Sequence, residues 1–209
     1  MARLPRTRRK EDRPGELLEA ALETFRAKGF AATRMEDIAA RAGVSKGTIY
    51  LYYPSKLAIF EALVRETLLP NLSRVEAAVA ASPFGAADTL RMIAGAVAEI
   101  AANSRMVGVP KIILSEAGNF PDLARFYRTE VIGRGLGIVA GVIARGVAAG
   151  EFRQVDPEIA ARLFFSPLIL SALWQVTFAP IEENPVPPAT VVALHLDTWL
   201  RGMAAEGVA

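Results

Sequence analysis

Residues 46–56 carry the side chains whose types and spacing could do chemistry: Lys46, Gly47, Thr48, Tyr50, Leu51, Tyr52, Tyr53 and Lys56. That chemistry is recognition rather than catalysis. An ammonium can meet a phosphate or guanine O6/N7, a hydroxyl can meet a base edge, and a leucine can touch a thymine methyl. Ser45 is placed to cap a helix, which puts Lys46, Gly47 and Thr48 at its N-terminus, where free backbone amides also favour a phosphate. Gly47 lets a partner approach the backbone closely. Tyr50, Tyr52 and Lys56 suit the positioning of phosphates, Ile49 reads as core, and Tyr53 reads equally well as contact or core.

These groups need a frame, and residues 33–60 supply one. Thr33 and Glu36 form T-x-x-E, the pattern of a capping box at a helix start. Met35, Ile38, Ala39 and Ala42 then recur at helical spacing, and Gly43 can stop the helix with a positive φ. Val44 turns inward and Ile49 anchors the second helix on the first, with small Ala39 permitting a close crossing. This is the pattern of a helix-turn-helix, whose second helix fits a major groove. A further helix begins at Ser55 after Pro54. The expected DNA-facing set is Thr33, Arg34, Ser45, Lys46, Gly47, Thr48, Tyr50, Leu51, Tyr52, Tyr53 and Lys56.

The run GVSKGTIYLYYPSKLAIF closely resembles the DNA-binding signature of the tetracycline-repressor (TetR) family of bacterial regulators, over about the first third of the chain. The family often has histidine or phenylalanine where Tyr52 and Tyr53 stand. The resemblance implies an all-helical homodimer that represses transcription and leaves DNA when a small molecule enters the C-terminal domain. FPDLARFYRTEV and AGEFRQVDPEIAARL are similar to the regulatory domains of many members.

Charge distribution agrees with a nucleic-acid partner. Residues 1–56 hold 12 Lys and Arg against 7 Asp and Glu, net +5, while residues 57–209 hold 12 against 15, net −3. The N-terminal MARLPRTRRKEDRP has no apolar stretch after its basic run, so it is a poor secretory signal; it reads as a solvated tail or as a basic arm on DNA. With no cysteine there is no disulfide, thiolate site or cysteine nucleophile, which fits a reducing cytoplasm. His195 stands alone without a carboxylate cluster, and no phosphate loop or nucleophile elbow occurs. Neither enzyme, metal site nor cofactor is expected.

The expected fold is all-α with about nine helices. A three-helix DNA-binding domain with its basic arm covers 1–56, and an effector-binding and dimerisation domain covers 57–209. Leu17, Leu18, Ala21, Leu22 and Phe25 mark a first helix over 14–28, ended by Gly29. Later helices are expected at 55–69 (continuing to about 81), 88–103, 109–118, 122–149, 157–178 and 188–205, with Asp156-Pro157 as a start signal and Gly150 as a stop. Gly133, Gly137 and Gly141 share one helical face, which allows either close helix approach or a kink.

An apolar pocket is expected among Phe120, Phe126, Phe164, Phe165, Leu168, Ser171, Trp174 and Gln175, although ordinary core is the plainer reading of the aromatics. Few charges lie there, so the effector would be lipophilic or aromatic. The last two helices should form a two-fold interface, with Leu170 and Leu196 inside it. Expected partners are operator DNA as an inverted repeat, a second copy of the chain and an unidentified small molecule, with no membrane. A same-fold regulator that lacks a ligand or activates stays open. So does a membrane-associated helical protein, through the uncharged run 163–181.

Overall fold

In the computed structural model residues 13–102 and 104–205 are described, the side chains of 102–106 excepted, so the arm's basic residues up to Lys10 lie outside the description. The described chain is all-α. The helices are α1 (Arg13–Ala32), α2 (Met35–Arg41), α3 (Lys46–Tyr52) and α4 in two segments (Lys56–Thr67, Leu69–Ala80). They continue as α5 (Ala86–Ala102), α6 (Ser104–Glu116), α7 (Pro121–Tyr127, a π-helical turn Arg128–Gly133, then Arg134–Ala148), α8 (Pro157–Thr177) and α9 (Pro188–Met203). Among the described residues the nearest thing to a strand is one isolated antiparallel bridge, Phe152 with Ala204.

The punctuation follows local chemistry. Gly29, Gly43 and Gly150 have φ of 79°, 67° and 73°, the left-handed region where a side chain would strain the backbone. The Asp156 carboxylate accepts from the amides of Glu158 and Ile159, with Pro157 behind it needing no donor. Two boundaries differ from expectation. Pro110 lies inside α6 instead of opening it, because the helix already starts at Ser104. The π-helical turn in α7, Arg128–Gly133, was not expected from the sequence.

The chain forms two compact units: Met1–Leu68 with Lys111–Phe126, and Leu69–Pro110 with Tyr127–Ala209. The first therefore extends beyond residue 56 and takes in a segment from much later in the chain. Its core comes from α1 (Leu17, Leu22, Phe25), α2 (Ile38), α3 (Ile49) and α4 (Ile59, Phe60, Leu63), all almost fully buried. Phe120 joins it by edge packing on Phe30 at 5.0 Å, and the buried Glu116 carboxylate accepts the Ala31 amide at 3.2 Å.

The larger unit buries Leu90 and Ile93 of α5, Val139, Val142 and Ile143 of α7, Phe164 and Leu168 of α8, and Leu200 and Met203 of α9 in one cluster. Close approach occurs at Gly146, where a Cβ would collide with the Phe152 ring and Ala86. A Cβ at Gly137 or Gly141 would meet nothing within 4 Å, so those two glycines do not mark helix contact in the described chain.

Residues 121–148 and 157–177 are long and apolar enough to cross a membrane by length and composition. For α8 the reason is two apolar sides. Ala160, Ala161, Phe164 and Leu168 enter the core, while Ile159, Leu163, Leu170 and Trp174 stay exposed.

Candidate nucleic-acid interface

Asp37 starts α2: its carboxylate accepts the Arg34 amide at 2.9 Å and the Lys28 ammonium at 2.7 Å, and the Lys28 bond is the main reason its carboxyl is held below the usual range. The expected capping box between Thr33 and Glu36 is therefore corrected. Thr33 is buried, and its hydroxyl donates to the carbonyl of Gly29, the non-helical residue that breaks α1 as its sequence suggested, at 2.7 Å. Thr33 thus holds the α1–α2 corner and turns no group outward. Arg34 is exposed at the N-terminus of α2.

The tight turn is built from Gly43, with the Val44 amide donating to the Ala39 carbonyl at 2.9 Å. Ser45 then opens α3, its Oγ accepting the Thr48 amide at 3.1 Å and sharing a 2.8 Å hydrogen bond with Thr48 Oγ1. Ile49 is fully buried and fixes which sides of α3 stay free. Lys46, Gly47, Tyr50 and Leu51 are exposed, Leu51 to 83%. A leucine this open is unexplained by packing, and it fits an apolar contact to an outside partner.

Lys46 does not stand free. Its ammonium pairs with the Glu36 carboxylate, which raises the lysine's pKa and lowers the glutamate's. The same ammonium lies 6.0 Å above the Tyr50 ring. Tyr52 and Tyr53 are half-buried, and burial, helped by Glu66, pushes the Tyr53 phenol up, which favours the core side of its two readings.

Lys56 has a structural role that its spacing did not show. Its Nζ donates to the Phe30 and Ala31 carbonyls at 2.5 and 3.0 Å and sits 4.5 and 5.4 Å from the Phe30 and Phe120 ring centres. Burial pushes its pKa down, opposed by Glu116. Two of the three ammonium hydrogens are thus given to carbonyls at the C-terminal end of α1, so Lys56 closes that end as well as leaving one donor for the backbone contact expected from sequence. Glu116 and Asp37 were not singled out from sequence. Asp37 could have been found as the carboxylate three residues after an N-cap. Glu116, a lone acid in an apolar stretch, gave only the weak signal of its isolation.

Gly47 needs neither positive φ nor space: a Cβ there would meet Ser45 Oγ at an ordinary 3.9 Å. Glycine inside a helix costs roughly 1 kcal/mol against alanine. Gly47→Ala is therefore expected to raise thermal stability slightly while weakening specific DNA binding, because the new methyl stands where a partner must approach. Unchanged binding in the stabilised variant would remove Gly47 from the contact surface.

The eight pocket candidates fall on both units. Phe120 and Phe126 belong to the first unit, packed on Phe30 and under the Arg65 guanidinium at 4.9 Å, whereas the other six lie on α8. Phe164, Leu168 and Ser171 are buried, and Phe165 stacks edge-on to Phe164 at 5.5 Å. Trp174 points outward, its indole N–H donating to Glu182 at 2.7 Å, and Gln175 donates to the Val186 carbonyl at 3.0 Å. Two surface grooves are lined by other residues, one including Glu19, Glu23 and Arg41, the other Arg91, Phe152 and Arg201. His195 Nε2 lies 3.0 Å from the Phe164 carbonyl.

Comparison with known proteins agrees with this geometry. Residues 17–63 match the family described as bacterial regulatory proteins, tetR family, and residues 88–201 match the AefR-like transcriptional repressor, C-terminal domain. The fatty acid metabolism regulator protein of Bacillus subtilis is 25% identical over 162 residues, 76% of this chain and 82% of that protein. The HTH-type transcriptional repressor KstR2 of Rhodococcus jostii is 26% identical over 197 residues, 93% of each. The crystal structure of FadR from Bacillus subtilis in complex with stearoyl-CoA superposes with a TM-score of 0.72 at 20% identity, covering 90% of this chain and 98% of that one.

Proposed function

The chain belongs to the tetR family of bacterial regulatory proteins, and from that premise we propose that it is a dimeric repressor on an inverted-repeat operator, released by a lipophilic effector. The observation that carries the DNA reading is α3: Ile49 is fully buried while Lys46, Gly47, Tyr50 and Leu51 are offered outward from a capped helix N-terminus. DNA contact belongs to residues 1–56, with Thr48, Tyr52 and Arg34 beside that surface. Effector binding and dimerisation belong to 57–209. Two-fold symmetry of the dimer requires a symmetric site, because each recognition helix reads one half.

Two observations support the lipophilic effector. The relative from Bacillus subtilis is named for fatty acid metabolism and a solved neighbour holds stearoyl-CoA. The cluster joining α5, α7, α8 and α9 is built from aliphatic and aromatic side chains, with Thr89 and Ser171 the buried polar groups described on those helices, so an occupant seated there would be largely apolar as well. Repression and release act in the cytoplasm on this reading, and the effector must bind the DNA-free arrangement more tightly than the DNA-bound one.

The test is selection from a random duplex pool followed by operator affinity with and without stearoyl-CoA. Enrichment of an inverted repeat, and a fall in affinity on the order of 5- to 150-fold with ligand, are the expected results. Enrichment of nothing would sink the DNA reading, and an enriched site insensitive to the thioester would sink this effector class.

A further inference from the structure

We infer that Glu36 is a specificity-determining residue: it withholds Lys46 from the phosphates of non-operator DNA and yields it to the operator. The inference rests on the reading of α3 as the recognition helix. The sequence of α3, KGTIYLY, contains a single formal charge, that of Lys46, and its ammonium is held by a carboxylate from the preceding helix. The one ionic attraction that α3 could offer any DNA is thus already answered inside the protein.

The two acids at the start of α2 do different work. Asp37 is tied to the Arg34 amide and to Lys28, so it serves the fold. Glu36 reaches across to α3, with 48% of its side chain exposed and 65% of that of Lys46. The pair is charged throughout the neutral range, since each partner shifts the other's pKa away from it. An exposed pair of this kind is weak, so a well-placed acceptor displaces the glutamate and a poorly placed one does not. A cognate half-site fixes α3 in register and presents such an acceptor. A random duplex offers phosphates at shifting positions, where binding is almost wholly counterion release. Arg41 with Glu23 at 2.9 Å is a second exposed pair of this kind beside the helix-turn-helix.

The experiment compares wild type, Glu36→Gln and Lys46→Ala on two duplexes, one selected by the wild-type protein from a random pool and one a scramble of the same composition. Affinity is read by anisotropy over a series of salt concentrations. Glu36→Gln is expected to steepen the salt dependence on the scrambled duplex by about 0.9 in log–log slope, the release of about one counterion, and to leave the slope on the selected duplex unchanged. Glu36→Gln combined with Lys46→Ala should erase the gain. An unchanged scrambled slope, or an equal rise on both duplexes, overturns the inference.

Lys46→Ala separates the two levels. If it changes neither the affinity nor the slope on the selected duplex, the recognition-helix reading fails and this inference with it. If it lowers that slope by about 0.9 while Glu36→Gln does nothing, only the inference fails. Melting curves of the full-length variants establish folding, and Glu36→Ala, which also removes the carboxylate, must reproduce the Glu36→Gln result.

Discussion

Replacing Leu170 by arginine is expected to leave a folded monomer whose operator affinity falls by on the order of 10²- to 10⁴-fold, the avidity lost when two half-site contacts are no longer linked. Leu170 is 59% exposed on the outer side of α8, in line with Ile159, Leu163 and Trp174, and Leu194 of α9 is 66% exposed. Apolar side chains spaced at roughly every four residues along an exposed helix face are what a self-complementary two-fold interface requires. The core side of α8 does not change in this variant, so folding should persist.

Leu196, which the sequence also placed in the interface, packs against the larger core, and a charge there would test stability instead. Leu194→Arg is the proper companion. Sedimentation at micromolar concentration gives the oligomeric state, and anisotropy on the selected duplex gives affinity. If both arginine variants sediment as dimers, the interface lies on another face.

How much of this was legible from sequence depends on the range of the interaction. Ser45, Gly43 and Asp156 act on amides or dihedrals within three residues of themselves, and each was readable from its neighbours. Ile49 and Phe25 announced their burial through helical spacing. The intramolecular partners of Lys56 and Phe120 were not readable because they are distant in the chain. Lys56 meets carbonyls some 25 residues earlier, and Phe120 meets the Phe30 ring. Thr33 shows the same limit at short range: a hydroxyl can accept from a following amide or donate to a preceding carbonyl, it does the latter here, and T-x-x-E spacing cannot tell which. The double-sided apolarity of α8 was visible as composition. Which residues face inward was visible only once the core was assembled.

The division into two units makes its own prediction, through Phe60 and Phe164. Each is fully buried, one in the unit carrying α3 and the other in the cluster of α5, α7, α8 and α9. Truncation of such a ring to alanine costs about 3–5 kcal/mol, through lost transfer energy and the cavity left behind. That is a large fraction of the roughly 5–15 kcal/mol that stabilises a domain. Phe60 also lies against Phe25 and Phe30, at 6.3 and 5.9 Å between ring centres, so its loss loosens the support of the helix-turn-helix from α1 and α4 together. Phe60→Ala is therefore expected to abolish operator binding at temperatures where the protein still sediments as a dimer, with an early, partial loss of helix on melting. Phe164→Ala should weaken the dimer first, because α8 and α9 meet around that ring, 5.4 Å from Trp199. Calorimetry and sedimentation on both variants decide the matter. Loss of DNA binding and of the dimer in one step, in both variants, would mean that the two units melt as a single cooperative body.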